Sequence, residues 1–401
     1  MQRKITLTRQ QARELVNTYG SPLYVYDERI LRERCREIKG LIRHPGFRPD
    51  YSVKANTNRE ILRIVREEGL TMDAMSPGEI LIGMAAGFLP EEIVFIPNNV
   101  SAEELQFAID RGIMISVDSL DQLELYGQLN PGGRIAVRIN PGVGAGHHEK
   151  VVTGGKCKFG IETAALPQVQ AIVKKYNLAL VGISQHIGSN FLTYDEYVAS
   201  YHTMIETARR LDPLEYIDFG GGLGVPYQGE DSLDIESLSD ILTGIIEDFV
   251  ASYANPDVKI RIEPGRYVVA ECGQLLGTVQ AVKVNYEETY VGTDIGFNVL
   301  MRPVMYDSYH EIVAYTEEPA KERVHVVGNI CESGDVVGRA RLLPKLKRGD
   351  IIGVENAGAY GYSMSSNYNS RLRPAEVLLA ESGEAKLIRR RDTYEDLLRG
   401  F

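Results

Sequence analysis

The sequence predicts a closed α/β barrel followed by a domain made of β-strands. Between about residue 48 and residue 266, short apolar runs alternate with amphipathic helical patterns. Polar side chains gather at the C-terminal ends of nearly all of these runs, and after residue 267 long helical patterns become rare. Eight β/α units in about 220 residues match the number and size of a TIM barrel.

The predicted barrel strands are short apolar runs that end in polar residues or glycine. The eight runs are FRPDYSVKAN, GLTMDAMS, EIVFIPN, GIMISVDS, RIAVRINP, LVGISQHIG, YIDFGGG and KIRIEPGR. A doubly wound open sheet is the alternative topology, but such a sheet concentrates its polar residues at one crossover point. The even distribution of polar residues therefore favours the barrel.

Amphipathic stretches between the runs predict helices with clear ends. Residues 59–69, 77–87 and 101–112 each finish in a glycine, which is the residue that commonly follows the last turn of a helix. This alternation predicts the barrel domain over residues 30–266. Residues 267–401 are predicted to form a β-sandwich or β-barrel domain, and we expect residues 1–29, which contain PLYVYD, to join it.

Composition excludes several classes of protein. The chain has 401 residues, 44% of them hydrophobic and 25% charged, and a net charge of -11, which disfavours a nucleic-acid-binding protein because no general basic face is available. Its four cysteines show no CxxC pair, so we expect neither a zinc site nor a disulfide framework. No secretory signal and no run of 18 apolar residues is visible, and we expect a soluble, cytoplasmic protein without a membrane partner.

Lys54 lies at the end of the first predicted strand. A lysine at the active end of a barrel would point into a partly enclosed cavity, where desolvation favours the neutral, nucleophilic amine. Other polar residues occupy the equivalent ends of the remaining runs: Asp73, Asn98, Asp118, Arg138, Asn140, His186, Gly220 to Gly222 and Glu263. For Asp118, Asn140 and Ser76, a helix N-cap is an equally good interpretation.

The last two runs suggest a phosphate-bearing cofactor. Gly220, Gly221 and Gly222 follow the seventh run, where barrels commonly bind phosphate through backbone N–H groups. Glu263 closes the eighth run, and a carboxylate there could keep a pyridine nitrogen protonated. His186 could stack on a flat cofactor, although an isolated histidine is more often a packed or hydrogen-bonding residue.

In the β region, Cys331 and Glu332 place a thiol beside a carboxylate. The alternative is a small buried residue next to a solvated acid, which is the commoner arrangement. The stretch GAYGYSMSSNYNSR, residues 358–371, is also unusually polar for a turn.

Taken together, the motifs resemble the fold-type III pyridoxal-phosphate-dependent decarboxylases, and among them the branch that acts on diaminopimelate. The matching segments are YSVKAN, HIGS, GGGLGVPY, EPGR, RPVMY, CESGD and GAYGYSMSSNYNSR, in this order from residue 51 to residue 371. The resemblance implies an alanine-racemase-like barrel with a β domain. It also implies a homodimer in which the β domain of each subunit completes the active site of its partner.

The resemblance assigns roles to individual residues. Lys54 would carry pyridoxal 5'-phosphate covalently, and Cys331 would be the proton donor supplied by the partner subunit. The remaining cofactor contacts would come from His186, Gly220, Gly221, Gly222, Glu263, Gly265, Arg266 and Tyr360. The substrate would meet Arg266, Arg302, Tyr306, Glu332 and Tyr360, and no metal is implied.

The side chains at the substrate site favour an amino acid with a second head group. Arg266, Arg302 and Tyr306 suit a distal carboxylate, and Glu332 suits a distal ammonium. This combination predicts decarboxylation of meso-2,6-diaminopimelate to L-lysine and CO2, the last step of lysine biosynthesis. The alternatives are a decarboxylase of ornithine, lysine or arginine, an amino-acid racemase of the same fold, and a non-enzymatic carrier of the cofactor.

Overall fold

The computed structural model describes residues 3–142, 145–146 and 154–401. The chain divides into two compact units. The barrel unit comprises Arg34–Val225 and Asp231–Tyr267, and the β unit comprises Met1–Glu33, Pro226–Glu230 and Val268–Phe401.

Eight parallel strands form the barrel unit. They are β1 (Phe47–Ser52), β2 (Thr71–Ala74), β3 (Ile93–Phe95), β4 (Met114–Val117), β5 (Arg134–Asn140), β6 (Ala179–Ser184), β7 (Tyr216–Asp218) and β8 (Lys259–Ile262). Each strand pairs with the next one along the chain, and β8 pairs with β1, so the sheet closes on itself. One strand lies in each of the eight predicted runs, which confirms the predicted closed barrel.

A helix follows every barrel strand. These helices are Arg59–Glu67, Pro77–Ala85, Ala102–Ile109, Leu120–Leu129, Leu166–Lys175, Asp195–Ala208, Ile235–Ser252 and Arg266–Val269. Short polar side chains begin several of them, as where Ser76 Oγ accepts a hydrogen bond from the backbone N–H of Glu79. Gly69 and Gly87 have φ values of +88° and +106°, the left-handed conformation that ends a helix at low cost in glycine.

The β unit is built on a nine-stranded sheet with three short helices. Its strands are Leu23–Asp27, Gly273–Asn285, Glu288–Thr293, Ile312–Ala314, Ala320–Val327, Val336–Pro344, Ile351–Val354, Ala375–Leu379 and Ala385–Arg389, and its helices are Arg9–Tyr19, Arg302–Tyr306 and Tyr394–Leu398. Gly273–Asn285 organises the sheet because it pairs with three other strands. Leu23–Asp27 lies antiparallel to Gly273–Asn285 and parallel to Ala375–Leu379, so an N-terminal strand is central in this sheet.

A further helix, Glu28–Lys39, contains the boundary between the two units. Within the described ranges, none of the helices combines the length and the apolar character that crossing a membrane requires.

A buried ion pair joins the first and last strands of the barrel. Asp50 of β1 is fully buried, and Nη1 of Arg261 in β8 lies 2.8 Å from its Oδ1 and 2.9 Å from its Oδ2. Loss of one partner would leave the other charge buried without compensation. The pair therefore holds the strands at which the barrel closes.

We predict that Asp50→Ala lowers the free energy of unfolding by about 3–5 kcal/mol, because the Arg261 guanidinium loses its carboxylate. The measurement is urea-induced unfolding followed by circular dichroism. Glu215→Ala is the matched control, since the Arg134–Glu215 pair is exposed and contributes less than about 1 kcal/mol. Equal shifts in the two variants would contradict the prediction.

Candidate active site

Lys54 lies in a single helical turn, Val53–Ala55, directly after β1. Its Nζ is 3.4 Å from Oδ1 of Asp73 and 3.3 Å from Oγ of Ser52. Asp73 lies in β2, is almost fully buried, and accepts a second hydrogen bond from Ser52. The amine is thus held at the C-terminal ends of two neighbouring strands by a carboxylate and a hydroxyl.

Glu263 follows β8 and is buried at the same end of the barrel. Burial raises the pKa of its carboxyl well above the usual value, and the nearby carboxyls of Asp218 and Asp73 raise it further, while Lys54 and Arg138 oppose the shift. Its Oε1 receives no hydrogen bond from the described residues. A buried acceptor of this kind is suited to a ligand that presents an N–H group.

The loop after β7 passes very close to the neighbouring strand ends. A Cβ on Gly220, whose φ is +74°, would lie 2.2 Å from the carbonyl oxygen of Gln185, and one on Gly221 would lie 2.0 Å from that of Glu263. Any side chain at either position would displace backbone atoms. Glycine is therefore required for the loop to pack between the residues that follow β6 and β8.

His186, which follows β6, is bound to this loop. The backbone N–H of Gly221 donates to Nδ1 of His186 over 3.3 Å, so Nδ1 is an acceptor and the neutral ring carries its proton on Nε2. Burial lowers the pKa of His186 well below 6.5, and the positive charges of Arg138 and Lys54 lower it further. The imidazole is consequently a neutral, flat group at the strand ends.

Arg266 begins the helix after β8 and is also buried. Its Nη2 donates a hydrogen bond to Oγ of Ser189 over 2.9 Å. Ser189 lies three residues after His186. Gly265, immediately before Arg266, is buried as well. All the predicted cofactor-binding residues of the barrel unit therefore follow β1, β6, β7 or β8. They lie at the C-terminal ends of these four strands, which is one end of the barrel.

In the β unit, Arg302 is buried to 2% exposure at the start of the helix Arg302–Tyr306. Its guanidinium carbon lies 5.3 Å from the ring centre of Tyr227 and 5.9 Å from that of Tyr360. Its Nε donates to Nε2 of His310 over 3.3 Å, and its Nη2 donates to Oγ of Ser308 over 3.2 Å. The aromatic and polar contacts fix the plane of the guanidinium.

Tyr306 and Tyr360 are both partly exposed. Tyr306 ends the same helix as Arg302. Tyr360 has a φ of +58°, a left-handed conformation that is strained for a bulky residue and that tends to occur at functional sites.

Cys331 and Glu332 are both exposed, unlike the buried cysteines Cys35 and Cys272. The side chain of Asn369 makes two hydrogen bonds with Cys331. Oδ1 of Asn369 accepts from the backbone N–H of Cys331 over 3.1 Å, and Nδ2 of Asn369 donates to Sγ of Cys331 over 3.2 Å. The hydroxyl of Tyr368 donates to Oε1 of Glu332 over 2.7 Å. The exposure of Cys331 disagrees with the alternative of a buried, structural cysteine.

The three polar residues for which a helix N-cap was an alternative interpretation make different contacts in the structure. Ser76 is a cap, as described above. Asp118 instead accepts a hydrogen bond from Nδ2 of Asn98, and Ser119 caps the following helix. The amide of Asn140 donates to the carbonyl oxygens of Gly155 and Phe159, at 2.9 Å each, and so shapes the loop after β5.

Several residues of these sites were not singled out from the sequence. Asp218, Tyr227 and His310 were missed because nothing in the chain marks them as neighbours of Glu263 or Arg302. Tyr368 and Asn369 lie in the stretch GAYGYSMSSNYNSR, whose polarity was noticed, but no role was predicted for either residue.

A closed (β/α)8 barrel with a lysine, a buried carboxyl and a glycine loop at one end, joined in one chain to a β-sheet unit, defines the barrel class of pyridoxal-phosphate-dependent enzymes. Residues 29–270 match the family model described as "Pyridoxal-dependent decarboxylase, pyridoxal binding domain". The chain belongs to this family and is a carboxy-lyase that uses pyridoxal 5'-phosphate.

Known relatives match the chain over almost its full length. A curated diaminopimelate decarboxylase of Methanothermobacter thermautotrophicus is 44% identical over 400 residues, covering 96% of this chain and 93% of the relative. A crystal structure of a diaminopimelate decarboxylase superposes with a TM-score of 0.90 at 38% identity, covering 98% of this chain and 97% of the other. The diaminopimelate decarboxylase of Helicobacter pylori, solved in complex with L-lysine, gives a TM-score of 0.89 at 32% identity, with 96% and 98% covered.

These comparisons confirm three expectations from the sequence. The family resemblance, the fold class and the use of pyridoxal 5'-phosphate by a decarboxylase are correct. The individual roles of the site residues remain predictions.

We predict that His186 stays neutral between pH 8 and pH 6, because its burial and the nearby cations hold its pKa well below 6.5. The protonated form is disfavoured in the folded chain, so this residue contributes stability above pH 6.5 that is lost as the pH falls toward its lowered pKa. Imidazole NMR signals of histidine-labelled protein test the prediction, with His186→Asn to assign the signal. A His186 signal that titrates near 6.5 would contradict it.

Proposed function

We propose that the chain decarboxylates meso-2,6-diaminopimelate to L-lysine and CO2, the last step of lysine biosynthesis. Nearly full-length relatives named diaminopimelate decarboxylase support this, and so does the relative solved in complex with L-lysine. The structural observation that carries the proposal is Arg302, a buried guanidinium oriented by aromatic rings and by His310. Such a group is suited to bind a substrate carboxylate in a fixed plane.

The barrel residues fit the cofactor. Lys54 offers an amine, and Glu263 offers a buried oxygen that receives no hydrogen bond from the part of the chain that the structure describes. The loop of Gly220 to Gly222 packs closely against the strand ends because it carries no side chains. We assign Lys54 to the covalent link and Glu263 to the ring nitrogen. The other proposed contacts are His186 against the ring, Gly220, Gly221, Gly222, Gly265 and Arg266 at the phosphate, and Tyr360.

When bound, pyridoxal phosphate supplies a conjugated ring that accepts the electron pair of the bond to the departing CO2. Glu263 would favour a protonated ring nitrogen by accepting its N–H. The neutral state of His186 avoids placing an additional cation beside the ring. Asp73 and Ser52 hold Lys54 Nζ at the strand ends, where the amine would bind the cofactor covalently and would later take the place of the amine product.

We assign substrate recognition to both positively and negatively charged residues. Arg302 and Tyr306, with Arg266, would bind the distal carboxylate, while Glu332 would bind the distal ammonium. Tyr368 holds one oxygen of Glu332 through its hydroxyl, which limits the positions that the carboxylate can adopt. A substrate that ends in a cation alone would offer these arginines no carboxylate.

Cys331 is the proposed proton donor to Cα. Its Sγ would deliver the proton, and the Nδ2 group of Asn369, 3.2 Å away, would stabilise the negative charge left on sulfur. Without such a donor, Cα would take its proton from solvent. The neighbouring N–H therefore supports a catalytic use of this thiol.

We also propose that two chains form a homodimer in which Cys331 and Glu332 of one subunit act with Lys54 of the other. Both residues are exposed in the β unit, and the apolar side chains of Val304 and Met305 are also exposed there. The four cysteines are thiols and not disulfides, and we propose a reducing, cytoplasmic location on this basis.

The substrate assignment predicts that kcat/KM for meso-diaminopimelate exceeds that for ornithine by about 100-fold or more, because the distal carboxylate adds charge-assisted hydrogen bonds to arginine. Product identification and steady-state assays with added pyridoxal phosphate measure this ratio. Arg302→Gln should reduce the ratio, whereas a preference of the unaltered enzyme for ornithine would refute the proposal.

The shared-site dimer predicts that inactive Lys54→Ala and inactive Cys331→Ala chains regain activity when they are unfolded together and refolded. Half of the random dimers are mixed and each holds one intact site, so about a quarter of the normal activity should return. The control mixes Lys54→Ala with the Lys54→Ala/Cys331→Ala double variant, which yields no intact site. If the first mixture remains as inactive as the control, the sites are not shared.

A further inference from the structure

Tyr368 connects Glu332 with Phe297. Its hydroxyl donates to Oε1 of Glu332 over 2.7 Å, and its ring stacks on that of Phe297, with 5.5 Å between the ring centres and 20° between the planes. The hydrogen bond to Glu332 raises the pKa of Tyr368, and the negative charge of the carboxylate raises it further, so the hydroxyl keeps its proton. The position of the Glu332 carboxylate therefore depends on where the ring of Tyr368 is held.

Phe297 is fixed in turn by Asp335, a buried residue of the same turn as Glu332. Oδ1 of Asp335 accepts the backbone N–H of Phe297 over 2.7 Å, and Oδ2 accepts that of Ile330, also over 2.7 Å. The backbone N–H of Asp335 donates to the carbonyl oxygen of Glu332 over 3.0 Å. One carboxylate thus ties the segment that carries Phe297 to the turn that carries Glu332.

Glycine makes the close approach of these segments possible. A Cβ on Gly328 would lie 2.3 Å from Oδ2 of Asp335 and 2.5 Å from Cα of Gly296, the residue before Phe297. The backbone N–H of Gly328 also donates to the carbonyl oxygen of Asp335 over 3.0 Å. Because a side chain at position 328 would displace the Asp335 carboxylate, the packing that supports the two stacked rings has a fixed shape.

The residue after Tyr368 binds the residue before Glu332. Asn369 makes the two hydrogen bonds with Cys331 that are described above. Two adjacent residues therefore hold two other adjacent residues through separate contacts. Loss of the Tyr368 hydroxyl would release the Glu332 carboxylate and leave both hydrogen bonds of Asn369 in place, so the effects on Glu332 and on Cys331 can be separated.

We propose that Tyr368, supported by Phe297 and Asp335, is a positioning residue that sets the preference of the site for a substrate with a distal ammonium. A glutamate side chain that is already held by a hydroxyl loses less conformational freedom when it pairs with a cation. The inference rests on the proposed role of Glu332 in binding that ammonium. It adds the residues that hold the carboxylate ready for it.

The experiment compares two ligands that differ only in the distal amino group. Meso-diaminopimelate carries this group, and 2-aminopimelate has hydrogen in its place. The KM and kcat of the holoenzyme are measured for meso-diaminopimelate, and 2-aminopimelate is titrated as a competitor to give its inhibition constant. The ratio of this inhibition constant to KM measures the preference for the distal ammonium.

Tyr368→Phe keeps the ring and its stacking and removes only the hydroxyl. We expect KM for meso-diaminopimelate to rise about tenfold, while kcat and the inhibition constant of 2-aminopimelate stay within about twofold. Phe297→Leu removes the stacked ring and should lower the ratio about threefold. Tyr176→Phe is the matched control and should leave the ratio unchanged, because the Tyr176 hydroxyl donates to a different carboxylate, that of Glu124, over 2.6 Å.

The proposal is overturned if Tyr368→Phe leaves the ratio unchanged, or if it weakens both ligands equally, as loss of a purely structural residue would. An unchanged ratio in Phe297→Leu also contradicts it. Adding Tyr368→Phe to Glu332→Gln should lower the ratio no further, and an additional fall would show that Tyr368 acts on the ligand without Glu332.

Glu332→Gln separates this inference from the proposed function on which it rests. If Glu332→Gln leaves the ratio unchanged, Glu332 does not bind the distal ammonium, and the substrate assignment of this residue fails together with the inference. If Glu332→Gln lowers the ratio and Tyr368→Phe does not, only the positioning role of Tyr368 is overturned.

Discussion

The carboxyl groups buried in the described part of the barrel need cationic or hydrogen-bonding partners, because each ionised group there lacks the hydration that water would give it. Asp50 is compensated by Arg261, and Asp73 by Lys54 and Ser52. These pairs lie on or directly after β1, β2 and β8, and the sheet closes between β8 and β1. The requirement to balance charge therefore links barrel closure with the position of the candidate cofactor lysine.

The glycine loop after β7 extends this arrangement to the neighbouring strand ends. Gly221 donates to His186, while Gly220 binds both Asp218 and the backbone of Glu263. Since a Cβ on either glycine would strike a backbone carbonyl, the loop has little freedom to move by itself. The proposed phosphate, ring and nitrogen contacts are consequently held by one compact set of hydrogen bonds.

In the β unit, side chains from distant segments orient the groups proposed to recognise substrate. Tyr227 comes from the short segment Pro226–Glu230, which interrupts the barrel sequence, and it packs against both Arg302 and His310. Nδ1 of His310 lies 2.8 Å from the carbonyl oxygen of Glu355, so a proton on Nδ1 leaves Nε2 free to accept from Arg302. Asn369 orients Cys331 in a comparable way.

The sequence by itself determined the eight strands, the helices between them, the β-rich remainder and the family, because hydrophobic periodicity and ordered motifs are local properties of the chain. Lys54 and Glu263 could be found as polar residues at strand ends. Only the tertiary structure decided that Asp218 accepts the backbone N–H of Gly220, that His310 accepts from Arg302, and that Asn369 contacts Cys331. Such pairs depend on strand register, loop path and burial, which arise when residues distant in sequence are packed together.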